Sequence, residues 1–235
     1  MKNQVVLPLA GTCGKADVRS KIVGGNPAQP NSIPWQVALV YTGTKEVFCG
    51  GTIVSPIHIL TRAGCVQNTS FFFSDGFRVL VGEHDLIDNM DNAVTHNVAT
   101  ITNHPTYNQS AQFDNDFSIL TLTEPIVLCG AGSHARAVCL PNPSDPEFIP
   151  GDTTFTVSGW GSLSFMGSFP NELHKVEVPF VTLAMCKEKN KPFEVTENML
   201  CAGNIAEGGV DSCQGDSGGK YPLMATVQLH YLWHF

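Results

Sequence analysis

Short runs of β-branched, aromatic and other apolar residues recur along this chain and limit what it can fold into. Glycines and prolines are spread between the runs, few windows keep a helical period, and no internal repeat is present. The runs predict strands at residues 35–40, 47–54, 78–81, 117–122, 153–157 and 176–181. Many short strands at this spacing are typical of an all-β sandwich or barrel. The 235 residues suffice for one large all-β domain or two small ones.

The composition indicates a folded protein and excludes some partners. Charged residues make up 14% of the chain and apolar residues 43%, which is enough to form a core. The net charge is −8 and no basic run is present, which argues against nucleic acid or an anionic membrane as the main partner. No apolar stretch reaches the roughly 18 residues of a membrane-spanning helix. We therefore expect neither a nucleic-acid nor a membrane partner.

The cysteines favour an extracellular protein. All eight lie outside CxxC pairs and zinc-ligand spacings, at positions 13, 49, 65, 129, 139, 186, 201 and 213. Structural disulfides in an oxidising compartment explain such cysteines better than metal binding does. Two glycosylation sequons, at Asn68 and Asn108, add weak support for export. The apolar run of residues 5–10 is shorter than a secretory signal and contains Pro8, so it fits a signal remnant and a plain apolar lead equally well.

The stretch GDSGG at residues 215–219 is the first candidate for chemistry. A serine hydroxyl is a poor nucleophile at neutral pH, so it needs a base, and the resulting oxyanion needs hydrogen-bond donors. Glycines around Ser217 let the backbone turn tightly and aim the N–H groups of Gly215 and Ser217 at one point. By itself, a glycine-rich turn with a serine is weak evidence for a catalytic site, so its value depends on the other motifs in the chain.

KIVGG at residues 21–25 is one of these motifs. A cut after Lys21 by a protease that prefers basic residues would expose Ile22 as a new amine, so we expect an activating protease as a partner. Asp216 could pair with that ammonium and set the loop around Ser217, because a buried charge needs a partner.

Two further aspartates complete the pattern. Asp116, in FDNDFSIL, leads into an apolar strand, although aspartates are common at turns and strand starts in any protein. Asp211 precedes Ser217 by six positions and could select Lys or Arg at the base of a pocket. Taken alone, it would be read as a solvated loop residue.

Together these segments resemble the trypsin/chymotrypsin family of serine proteases, peptidase family S1. The resemblance runs in order from Ile22 to about Gly219 through PWQVAL, FCGGTIVS, GEHD, NDFSIL, AVCLP, SGWG, MLCAG and DSCQGDSGG. It implies an all-β fold of two perpendicular antiparallel β-barrels with the active site between them, which the strand pattern alone could not specify.

The resemblance also implies a role for each matched residue. Ser217 corresponds to the nucleophile, and Asp116 corresponds to the buried acid that orients the base. The N–H groups of Gly215 and Ser217 correspond to the oxyanion donors. Asp211 corresponds to the pocket acid that selects protein or peptide segments with Lys or Arg.

The base is the main departure from the family. Gly64, in ILTRAGCV, stands where the family has its catalytic histidine. That histidine takes the serine's proton and later protonates the leaving amine, and glycine can do neither. Arg62 keeps its proton, and His58 lies six residues upstream in a predicted strand, so neither is a credible base. In subtilisin, removal of the base costs on the order of 10⁶ in kcat. The sequence therefore predicts little or no peptide hydrolysis.

The C-terminal segment is a second departure. The family follows its serine with further strands, the wall of the specificity pocket and a closing helix, and residues 220–235 do not resemble them. We therefore expect the second barrel to be incomplete. The predicted organisation is a leader or activation peptide at 1–21, a trypsin-like domain at 22–219 and an atypical tail at 220–235.

The cysteines match the family only in part. The resemblance pairs six cysteines: Cys49 with Cys65, Cys186 with Cys201, and Cys13 with Cys139. Cys129 has no counterpart in the family, the usual partner of Cys213 falls in the unmatched region, and their pairing stays open.

Some relatives hold calcium in a loop that starts at Gly-Glu, here Gly82-Glu83, but Met90 and Ala93 stand where distal carboxylates belong. Asp88 and Asp91 lie nearby, so we expect no cofactor and keep calcium as the less favoured alternative.

Three functions remain open at this point. In the first, the chain is a serine endopeptidase by lineage whose activity is impaired or absent. Residual hydrolysis assisted by a substrate histidine belongs to this alternative. Alternatively, it is a non-catalytic binding or regulatory homologue in an extracellular proteolytic cascade. A third alternative is an incomplete isoform without activity.

Overall fold

The computed structural model describes residues 13–16, 26–67, 76–88, 92–130, 132–140, 151–162 and 168–203. In chain order the strands are β1 Asn26–Pro27, β2 Gln36–Tyr41, β3 Val47–Ser55, β4 His58–Thr61, β5 Phe77–Val81, β6 Val94–His96, β7 Val98–Asn103, β8 Ser118–Leu122, β9 Thr154–Gly159, β10 His174–Val181 and β11 Cys201–Ala202. Two short helices accompany them, α1 Ala63–Val66 and α2 Leu183–Lys189.

Seven of the strands form one antiparallel sheet in the order β6-β5-β2-β3-β4-β8-β7. Its register shifts at three places, between Leu39 and Val40, between Ile53 and Ser55, and between Val98 and Thr100. Irregularities of this kind increase the local twist, and they help a sheet to curl towards a barrel.

The sheet curls around an apolar core because one face of each strand carries the large side chains. In β8, Ser118, Leu120 and Leu122 are buried, whereas the residues between them are partly exposed. Such alternation is expected where one face of a strand meets the core. The largest fully buried apolar side chains are Phe77, Leu39, Ile53, Ile59, Leu120, Val37, Val66 and Val79.

The second sheet contains β10, which pairs with β1, β9 and β11, all antiparallel. A smaller core lies against it, built from Phe155, Val157, Val178 and Ala202. The rings of Phe155 and Phe180 meet edge to face with centroids 6.1 Å apart.

Hydrogen bonds join the two sheets. The Ser158 hydroxyl in β9 donates to the Gln36 side-chain oxygen in β2 at 2.8 Å, and both residues are buried. Leu86 N donates to Asn171 O at 3.1 Å, and Leu173 N donates to His84 O at 2.8 Å. The segment after β5 is therefore tied to the segment before β10.

The all-β prediction is confirmed, and the two antiparallel sheets are consistent with a two-barrel fold. Each of the six predicted strands overlaps a strand of the structure. The expected incompleteness of the second barrel concerns residues after 203, which lie outside the described residues.

Candidate active site

Gly64 lies in α1, which is attached firmly to the first sheet. The disulfide between Cys49 in β3 and Cys65 in α1 joins the two elements. Just before the helix, the Thr61 hydroxyl donates to Gly50 O at 2.8 Å. Ala63 and Val66 are fully buried and anchor the helix in the core. The position that the resemblance assigns to the base is therefore held in a fixed place.

Asp116 faces this position from the loop that precedes β8. Its Oδ1 accepts a hydrogen bond from Gly64 N at 2.7 Å. Its Oδ2 accepts from Arg62 Nε at 2.6 Å, and the side chains of Arg62 and Asp116 are each only 13% exposed. The structure thus brings Asp116 and Gly64 together. It adds Arg62, which sequence reasoning had considered only as a possible base.

The backbone at Gly64 does not require glycine. Its φ lies outside the left-handed region that favours glycine. A β-carbon placed there with ideal geometry would lie 3.3 Å from Tyr107 Oη and 3.5 Å from Asp116 Oδ1. The first contact is tight and the second is ordinary. A side chain at this position would therefore point at Tyr107 and Asp116.

Two aromatic residues border the ion pair. The Phe113 ring lies 5.8 Å from Arg62 Cζ, a distance at which a guanidinium is attracted to a ring face. Burial and the nearby charge of Asp116 raise the pKa of Tyr107 to about 12, although Arg62 acts in the opposite direction. Tyr107 is therefore a neutral phenol at physiological pH and cannot act as the missing base.

Asp114 joins the Asp116 loop to the other half of the molecule. Its side chain is fully buried and accepts hydrogen bonds from the Thr196 hydroxyl, the Asn198 amide and the Asn115 amide. Thr196 and Asn198 lie between α2 and β11. Sequence reasoning missed Asp114, because its partners Thr196 and Asn198 are distant in the chain and its own neighbours are mostly polar.

Comparison with known proteins identifies the family. The Trypsin family model matches residues 22–231, which is most of the chain and continues past Gly219, where the motifs quoted above end. The chain belongs to the trypsin family.

Individual relatives agree with this membership. Coagulation factor IX of Cavia porcellus is 36% identical over 202 residues, covering 86% of this chain and 67% of that protein. Trypsin of Simulium vittatum is 35% identical over 219 residues, covering 92% of this chain and 82% of that protein. Human trypsin-3 is 36% identical over 214 residues, covering 91% of this chain and 63% of that protein. Trypsin-like proteases act on protein substrates.

Several residues to which the trypsin family resemblance assigns roles lie outside the described residues. Their expected roles in activation, catalysis and substrate binding therefore stay predictions. These residues are Lys21, Ile22, Asp211, Gly215, Asp216 and Ser217. The same holds for the tail at 220–235. Of the assigned catalytic group, the structure describes Asp116 and the Gly64 position.

His58 belongs to the core. Its Nδ1 pairs with the Ser55 hydroxyl at 2.8 Å across the turn between β3 and β4. Both side chains are buried, and burial lowers the pKa of His58. This contact gives the histidine a structural role in the turn.

Within the described residues, the disulfides are the three pairs that the trypsin family resemblance implied: Cys13 with Cys139, Cys49 with Cys65, and Cys186 with Cys201. The exposed Cys129 forms no disulfide with a described residue, and its sulfur accepts a hydrogen bond from Arg136 Nη1 at 2.9 Å. Cys213 lies outside the described residues. Among the residues that are described, no helix is long and apolar enough to cross a membrane.

Proposed function

We propose that this trypsin-family protein has lost histidine-based peptide hydrolysis and acts by binding protein segments that contain Lys or Arg. One observation carries the proposal. The Asp116 carboxylate accepts from the Arg62 guanidinium and from the Gly64 N–H, at the place where an orienting acid would hold an imidazole.

The chemistry at this place explains why hydrolysis should fail. The Ser217 hydroxyl needs a group that takes its proton and returns it to the leaving amine. The Arg62 guanidinium carries only N–H donors and keeps its proton in proteins. Tyr107 is a neutral phenol with a pKa of about 12. Loss of a catalytic base lowers kcat by about 10⁶ in a comparable serine protease.

Binding does not need the base. Asp211 would supply the charge that pairs with Lys or Arg, and Gly215 and Ser217 would supply backbone donors to a peptide carbonyl. A role in an extracellular proteolytic cascade fits the name of one relative, a coagulation factor. The disulfides of the described residues support an oxidising, extracellular location.

The test separates binding from turnover. The full chain, treated with immobilised trypsin to cut after Lys21, is incubated with Lys and Arg amide substrates and, separately, with a small amidine that mimics the arginine side chain. We expect no turnover above background and saturable amidine binding. The Asp211→Asn variant should lose that binding, and Ser217→Ala should keep it.

Two other outcomes favour the alternatives. Turnover within about a hundredfold of trypsin, abolished by Ser217→Ala, would establish an active endopeptidase and overturn the proposal. Absence of both turnover and amidine binding would leave an inactive isoform as the better description.

A further inference from the structure

A buried ion pair outside the candidate site holds the loop of residues 82–88. The Glu83 side chain is fully buried immediately after β5, and Lys45 Nζ lies 3.0 Å from Glu83 Oε2. The same ammonium donates to the backbone oxygen of Asp88 at 3.3 Å. Lys45 reaches these atoms from the turn before β3, with its side chain 37% exposed. One positive charge therefore contacts both the first and the last part of the loop.

The middle of this loop is part of the junction between the two halves. His84 O accepts hydrogen bonds from Leu173 N at 2.8 Å and from the Trp160 indole at 3.1 Å. Leu86 N donates to Asn171 O at 3.1 Å. These partners lie in the connection between β9 and β10. The conformation of the loop therefore affects how the second sheet is attached to the first.

The residues of this loop do not fit the calcium ion that its Gly-Glu start had suggested. Calcium binds through about six to eight oxygen ligands. Among the described residues, no group of three or more Asp, Glu, His or Cys could hold a metal ion. The carboxylate of Glu83, which would be the first ligand, already faces the Lys45 ammonium at 3.0 Å. A divalent cation at that oxygen would be repelled by the ammonium and would have to displace it.

We propose that Lys45 is a built-in cation that takes the place of a metal ion in this loop and orders the junction without calcium. The ammonium supplies the positive charge that the buried Glu83 needs, and its bond to Asp88 O closes the loop. Burial makes the two residues interdependent, since breaking a buried ion pair by removing one of its members is strongly destabilising.

The first test uses the unmodified full chain. Its thermal unfolding midpoint is measured in excess Ca²⁺, in excess Mg²⁺ and in EDTA at constant ionic strength. We expect the same midpoint in all three solutions. A midpoint that rises in Ca²⁺ but not in Mg²⁺ would overturn the proposal.

The second test removes the ammonium. Lys45→Met keeps an apolar stem of similar length, so it isolates the charge, and Lys187→Met on the exposed face of α2 is the matched control. We expect the midpoint to fall by several degrees in Lys45→Met and to stay unchanged in the control. Amide hydrogen exchange at Leu86 and Leu173 should accelerate in Lys45→Met. An unchanged midpoint and unchanged exchange would contradict the proposal.

A double variant separates pairing from general packing. In a Glu83→Gln background Lys45 no longer faces a buried carboxylate at position 83, so the further change Lys45→Met should lower the midpoint much less than it does in the parent. Equal losses in the two backgrounds would overturn the role of Lys45 as the partner of Glu83. These measurements are independent of the proposed function, because none of them depends on hydrolysis or amidine binding.

Discussion

The Asp116 carboxylate lies beside Gly64, the position that the family resemblance assigns to the base, and it has other partners there. A mostly buried carboxylate needs a compensating charge or several donors, and removal of an imidazole would leave it poorly paired. Here Arg62, two residues before Gly64, contacts Oδ2 at 2.6 Å, and Gly64 N contacts Oδ1 at 2.7 Å. Both oxygens therefore have a partner without a base.

This pairing predicts that Gly64→His alone will not restore hydrolysis. The backbone at Gly64 accepts a side chain, but a new imidazole would compete with Arg62 for Asp116 and would lie close to Tyr107. We expect Gly64→His to stay near background with Arg amide substrates. The double variant Arg62→Ala/Gly64→His should exceed it by at least about tenfold, equivalent to about 1.4 kcal/mol in the activation barrier.

Five proteins complete this comparison: the parent, each single variant, the double variant, and the double variant with Ser217→Ala. Arg62→Ala alone should remain inactive, because it supplies no base, and Ser217→Ala added to the double variant should abolish the gain. Equal rates in Gly64→His and the double variant would show that Arg62 does not hold Asp116 against a histidine.

At this scale the sequence predicted only part of the candidate site. The proximity of Asp116 and the Gly64 position followed from the family resemblance, because both residues lie in matched motifs. The Arg62 contact could not be predicted, since it depends on which way a long side chain turns. The Asp114 contacts with Thr196 and Asn198 join residues more than 80 positions apart, and no local pattern encodes them.

Among the elements, six strands could be predicted from local pattern, but β7 could not, although it has six residues, because only Val98 in it is buried. The six predicted runs alternate clearly or are continuously apolar, so their preference is visible locally. Helix α2 has only seven residues, too few for a periodic signal. Its start is marked by Thr182, whose hydroxyl accepts from Met185 N. The short strands β6 and β11 form because neighbouring strands pair with them.

Strand β4 carries a pH-dependent contribution to stability through His58. Burial lowers the pKa of this histidine in the folded protein, so the unfolded chain binds the proton more readily. The contribution is complete above the ordinary histidine pKa of about 6.5 and is lost as the pH falls below it. The unfolding free energy of the parent should decline as the pH falls from about 7 to 5. In His58→Gln this decline should be less steep, by at most about 1.4 kcal/mol per pH unit.

Denaturant unfolding at several pH values measures this effect. His134→Gln, at an exposed position, is the control and should keep the slope of the parent. His96 also has a pKa lowered by burial, partly offset by Glu124, so the parent's total slope exceeds the part that His58→Gln removes. A variant slope identical to that of the parent would show that His58 does not titrate in this way.

For the whole molecule, the order of the strands and the junction between the sheets could not be predicted from local pattern. The sheet order β6-β5-β2-β3-β4-β8-β7 places β8 between β4 and β7, and such long-range pairing depends on the complete core. The disulfide pairs were expected from the resemblance alone. Among them, the bond between Cys13 and Cys139 joins two residues 126 positions apart, the first of which lies in the predicted leader.

That bond shapes the last prediction, which concerns cleavage between Lys21 and Ile22. Limited trypsin digestion should give the N-terminus Ile-Val-Gly-Gly, since the cut requires nothing from this chain's own site. The leader should stay attached through Cys13 until a reductant is added, and a Cys13→Ser variant should release it without reduction. In Lys21→Gln the cut should move to Arg19 and give Ser20 as the N-terminus.

Protection of the Lys21 bond while other sites are cut would contradict activation by cleavage. Release of the leader from the unreduced parent would contradict the tether.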